Sequence, residues 1–218
     1  KVFPELNIWD NISSVLDFKT SDYNTKKNEK IRSVFFKEAE SHKKNNILEK
    51  LPINCFRLNF INKAFPEAKY IVIKRNPLEV AASIEEKIGK GNWYGVNDNK
   101  LRLLIEYAKS NNVETKDFLK TDFNKGLLEW RLSNVAISKF FNESNKDFFS
   151  INYSNLTLNP KEILTEAFNF LEIKYNEEAL INCCKLVHKN LRNNENIKNN
   201  IQNNQKEFLI SEGFIQEK

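Results

Sequence analysis

Tyr70, Ile71, Val72 and Ile73 form an unbroken apolar run between Lys69 and Lys74, and Arg75 is followed at once by Asn76, Pro77, Leu78 and Glu79. β-Branched and aromatic residues without polar alternation predict a strand covered on both faces of a parallel sheet. Asparagine at an N-cap, proline at the first helical position and a carboxylate at the third predict a helix, here running to about Lys87. The segment is therefore expected to be strand, tight junction and helix. At such a junction the free N–H groups of the helix and the Arg75 guanidinium face one space suited to an anion. Ser83 follows Arg75 by eight residues, about two helical turns, roughly on the side from which Arg75 enters. A guanidinium fork and a hydroxyl placed in this way suit one phosphate monoester. On spacing alone a plainer alternative stays open, with Arg75 paired to a surface carboxylate and Ser83 an ordinary helix residue.

The same grammar recurs near the C-terminus. Residues 148–152 are expected as a strand, and Asn159, Pro160, Lys161 and Glu162 repeat the cap before a helix that ends near Leu171. Residues 25–44 place Ile31, Val34, Phe35 and Ala39 at helical spacing among charges, as in an amphipathic surface helix. A short strand is expected over 46–51, stopped by Pro52, and a helix over 54–65, ended by Pro66. A glycine-containing loop over 89–95 carries Trp93 and Tyr94, and helices are expected over 98–109 and 123–141. The last thirty residues are polar and poorly periodic. Strands alternating with helices predict an α/β fold, with a mainly parallel central sheet flanked by helices and ligands at the carboxyl ends of the strands.

Composition narrows the function classes. A chain of 218 residues, 40% hydrophobic and 12% aromatic, has the apolar material for one sizeable core and is not a disordered segment. Its net charge of +5, spread over 34 basic and 29 acidic residues, attracts anions but is no polybasic nucleic-acid footprint. A small polyanionic ligand fits it, and no nucleic-acid partner is expected. Cys55, Cys183 and Cys184, with only His42 and His188, provide neither a disulfide framework nor metal-ligand spacing. No apolar run approaches the roughly 18 residues of a membrane span, and no signal peptide is visible, so the default expectation is the cytoplasm. There is no methionine, where ordinary usage of roughly 2% would give about four. That points either to residues missing ahead of Lys1 or to methionines lost from the sequence.

Three separated segments agree, in order and in expected structure, with one family. Glu49, Lys50, Leu51 and Pro52 lead through a helix to Phe65, Pro66, Glu67, Ala68 and Lys69, then to the apolar run, Arg75, and Ser83 eight residues later. Ile151, Asn152, Tyr153, Ser154, Asn155 and Leu156 precede Asn159, Pro160, Phe170 and Leu171, and Trp130 lies in the helix before them. Together these resemble the sulfotransferase family that uses 3′-phosphoadenosine 5′-phosphosulfate, over roughly residues 4–171.

The resemblance implies a P-loop nucleotide-hydrolase-like sulfotransferase fold, as a single domain over 1–218. It implies that Arg75 and Ser83 hold the donor's 3′-phosphate and that Tyr153, expected to close a strand, lies near the adenosine. Lys50 would stand toward the transferred sulfuryl group, where a cation offsets charge on the bridging oxygen. Glu5, just ahead of Leu6, Asn7, Ile8 and Trp9, would be the base that deprotonates the acceptor. Trp93 and Tyr94 lie where relatives vary with the acceptor, which would be a small molecule, a lipid or a saccharide. The donor would be 3′-phosphoadenosine 5′-phosphosulfate, with no metal required. The family also holds the donor's 5′ end on a glycine-containing loop, and none of Gly89, Gly91, Gly95, Gly126 and Gly213 sits in that setting. The expectation is that the N-terminal strand and phosphate loop lie ahead of Lys1. Two other readings are a phosphoryl-transferring kinase on a related fold and a non-catalytic anion-binding α/β module.

Overall fold

The computed structural model describes residues 25–91, 93–187 and 210; Glu5 and the polar tail therefore lie outside the described residues, apart from Ile210. In chain order, α1 (Thr25–Ser41), a 3-10 turn (Pro52–Arg57) and α2 (Leu58–Ala64) precede β1 (Tyr70–Lys74) and α3 (Pro77–Gly89). Helix α4 (Asn99–Ser110) and the long α5 (Asp122–Ser144) follow. Then come β2 (Phe148–Asn152), α6 (Tyr153–Leu158), α7 (Pro160–Phe170) and α8 (Glu177–Leu186). The chain divides into two compact units, one drawn from Lys1–Ala68, Asn97–Val113 and Leu132–Asn145, the other from the remaining segments.

In the first unit, Ile31 and Phe35 of α1, one helical turn apart, meet Phe60 and Ala64 of α2, with Leu51, Ile61 and Phe65 packed around them. Phe65 sets its ring edge-on to Phe35 at 5.4 Å. Arg32 donates to the carbonyl of Ala64 at 2.6 Å and pairs with Glu67 at 2.8 Å, which satisfies the end of α2. The sequence-predicted strand over 46–51 does not form. A strand needs a neighbouring strand, and among the described residues this segment pairs with none; Leu48 is 86% exposed. The helix expected over 54–65 starts instead as a 3-10 turn, with Pro52 at its head, and becomes α-helical only at Leu58.

The second unit holds the sheet. Strands β1 and β2 pair in parallel, with Tyr70 opposite Phe148 and Lys74 opposite Asn152. Among the described residues the sheet has two strands, so the expected central sheet is reduced to a small one in a mainly helical α/β chain. β1 is covered on one face rather than both: Tyr70 and Val72 are buried, while Ile73 is 56% exposed. On β2, Phe149 stacks against Phe170 of α7 at 5.8 Å. Helix α5 approaches α3 at Gly126, where a Cβ would lie 2.8 Å from the Ala81 Cα and 3.2 Å from the Ile84 Cβ. Only a residue without a side chain fits this approach.

Burial of Tyr70 pushes its hydroxyl up to about 12 from the ordinary 10.0. The folded state therefore favours the neutral phenol. Its contribution to stability is complete below pH 10 and is lost as pH rises towards 12, at most about 2–3 kcal/mol. Alkaline unfolding of Tyr70→Phe should show a shallower loss over that window than the parent; parallel profiles would refute this.

Candidate functional site

Two loops leave the carboxyl ends of paired strands side by side. Asn76 caps α3 by accepting from the Leu78 N–H at 2.9 Å, and Pro77 opens the helix. On the neighbouring strand, Asn152 accepts from the N–H groups of Ser154 and Asn155 at 2.9 and 3.2 Å, so α6 begins at Tyr153. Tyr153 thus opens a helix rather than closing a strand. Asn159, expected to cap the next helix, makes no side-chain cap bond.

Because Lys74 and Asn152 are partners in the ladder, Arg75 and Tyr153 are the next residues along each strand. The Arg75 guanidinium lies over the Tyr153 ring at 4.6 Å, a distance at which the cation is attracted to the ring face. Arg75 Nε donates to Glu79 Oε2 at 3.1 Å, and the Glu79 side chain is only 4% exposed against 28% for Arg75. The Glu79 carboxylate, expected to serve the helix start, turns back to the arginine. The Trp130 indole of α5 donates to the backbone carbonyl of Arg75 at 3.1 Å. The Arg75 Nη groups make no hydrogen bond to another described residue, so the guanidinium keeps donors available for an oxyanion.

Ser83 lies part-buried on α3, two turns beyond Arg75, and its hydroxyl bonds to no other described residue. A second cluster joins the same two helices. Trp93 donates its indole N–H to Glu129 Oε2 at 3.1 Å, and Lys87 Nζ sits 4.3 Å from the centre of its ring. Its neighbour Tyr94 is buried, at 4% exposed. Lys50, in the first unit, is exposed at the end of the extended segment before Pro52.

Of the residues singled out in the sequence, Arg75 and Tyr153 are therefore in direct contact. Glu79 and Trp130 complete the cluster in roles that sequence reasoning missed. The spacing of Arg75 and Glu79, four residues apart, is that of a helical ion pair and was a legible signal. The bond from Trp130 to a carbonyl 55 residues away had none.

The model of the Sulfotransferase family matches residues 15–177. The matched span takes in both strand tips, α3, α5 and α6, and it covers well over half of the chain. The chain belongs to the sulfotransferase family, an enzyme family that uses 3′-phosphoadenosine 5′-phosphosulfate, in keeping with the motif resemblance. Family membership implies a P-loop-like fold. No curated protein and no solved structure matches the chain. No helix among the described residues is long and apolar enough to cross a membrane.

Proposed function

We propose that the chain binds 3′-phosphoadenosine 5′-phosphosulfate with its 3′-phosphate at the β1–α3 junction, and that it promotes transfer of the sulfuryl group to an acceptor hydroxyl or amine. The observation that carries this reading is Arg75, held at a strand tip between Glu79 and the Tyr153 ring, with its Nη groups unengaged by other described residues. A phosphate monoester suits a planar fork beside a helix N-terminus, because two parallel N–H bonds and the helix dipole act on one anion. Ser83 adds a hydroxyl donor from the same helix. Tyr153, already in contact with the arginine through its ring face, offers its ring edge and hydroxyl to the adenosine.

The bound donor supplies the group transferred, by in-line displacement without a covalent enzyme intermediate. In this reading Lys50 stands towards the departing sulfuryl oxygen and Glu5 takes the acceptor's proton. Trp93 is the acceptor-side contact, since its loop carries an aromatic surface already bracketed by Lys87 and Glu129; Tyr94, being buried, would shape that loop from beneath. The acceptor is a small molecule, a lipid or a saccharide.

Calorimetric titration of the full chain with 3′-phosphoadenosine 5′-phosphate and with adenosine 5′-phosphate tests the donor assignment. The two ligands differ by the 3′ group alone. The bisphosphate should bind at least tenfold more tightly, about 1.4 kcal/mol, and equal affinities would overturn the assignment.

A further inference from the structure

We propose that Glu79 is a positioning residue for the donor site, setting which donors of Arg75 reach the 3′-phosphate; this rests on the donor reading above. A guanidinium offers either a side-on fork, from Nε and one Nη, or an end-on fork from both Nη groups. Glu79 Oε2 occupies Nε at 3.1 Å, which leaves the end-on fork. The Tyr153 ring, its centre 4.6 Å from the guanidinium carbon, holds the group against its face. The Trp130 bond to the Arg75 carbonyl, at 3.1 Å, fixes the backbone from which the side chain starts. The ring contact, the backbone anchor and the Nε bond act together on the group, and only the last of them depends on Glu79.

Glu79 is itself held. It stands in the first turn of α3, is buried, and bonds to no other described residue through its side chain. Its charge also lowers the net positive charge offered to an anion, so attraction does not account for its place at this junction. Orientation does: a pre-organised fork loses less freedom on binding than a mobile one. At the third helical position the carboxylate also meets the helix dipole favourably, and its Oε2 is aimed at the arginine.

The test compares the two adenosine phosphates on the parent chain and on Glu79→Ala, Glu79→Gln and Glu79→Asp. Positioning predicts that Glu79→Ala and Glu79→Asp lose roughly tenfold of the preference for the bisphosphate, with affinity for adenosine 5′-phosphate unchanged. Glu79→Gln keeps an oxygen facing Nε and should retain most of that preference. Should the alanine variant fail to fold, Glu79→Asp decides, because it keeps the charge but withdraws it from Nε. A purely structural role would lower stability and leave the preference intact in every folded variant, which overturns the proposal. A parent chain that does not discriminate between the ligands overturns the donor reading and this inference with it.

Discussion

Arg75→Ala, made together with Glu79→Gln, is expected to weaken binding of 3′-phosphoadenosine 5′-phosphate by roughly 100-fold or more, while adenosine 5′-phosphate loses less than about threefold. The second substitution matters because Glu79 is 3% exposed. Removing the arginine alone strands a buried carboxylate, and a lost partner of that kind destabilises a fold by several kcal/mol whatever the ligand. Two charge-assisted bonds to one phosphate, each about 1.5–3 kcal/mol, set the size of the expected loss. Arg75→Lys keeps the charge but presents a single point rather than a fork, and should recover only part of the affinity. Isothermal titration against both ligands is the measurement. An equal loss for the two would place Arg75 outside the 3′-phosphate site.

Gly126→Ala is expected to lower the melting temperature by roughly 4–8 °C, corresponding to a net loss of about 2 kcal/mol. The new methyl group would stand 2.8 Å from the Ala81 Cα and 3.0 Å from its carbonyl oxygen. Both are backbone atoms, so neither can swing aside and the two helices must part. Alanine gains up to about 1 kcal/mol in helix propensity over glycine, which offsets only part of the clash. Gly89→Ala is the control, because a Cβ there meets nothing within 4 Å; its melting temperature should match or slightly exceed the parent's. A second readout belongs to the site. Trp130 follows Gly126 by one turn on α5, so moving this helix from α3 also draws the indole from the Arg75 carbonyl. Bisphosphate affinity should fall with stability in Gly126→Ala. A variant as stable as its parent would show that the helices do not approach so closely.

The junction at Arg75 was legible because its signals are local. An apolar β-branched run, an asparagine, a proline and a carboxylate within eleven residues specify strand, cap and helix, and β1 and α3 follow them closely. Helix α4 is legible for a similar reason, since buried residues such as Leu101, Leu104 and Ala108 recur at helical spacing. What failed was non-local. An apolar run does not reveal how many strands will flank it, so the sequence predicts β1 buried on both faces whereas Ile73 lies open. Ile47 and Leu48 look like strand residues, yet only a neighbouring strand makes a strand. The cap at Asn152 is hidden in the sequence for a different reason: the helix it starts has six residues, too few to show a period. At the site, sequence pointed to Arg75 and Tyr153, but their contact follows from strand register, which no local pattern encodes.

That register has a further consequence. Since Arg75 and Tyr153 extend the rung formed by Lys74 and Asn152, a slip of one residue in the ladder would turn one of the pair to the opposite face. On the proposed donor reading, the sheet is thus the gauge that spaces the two binding groups, and a ligand touching both tips would act in return as a clasp on the strands. A two-stranded sheet is marginal by itself in water. On that reading recognition and strand pairing are linked through the same few atoms, and each would reinforce the other.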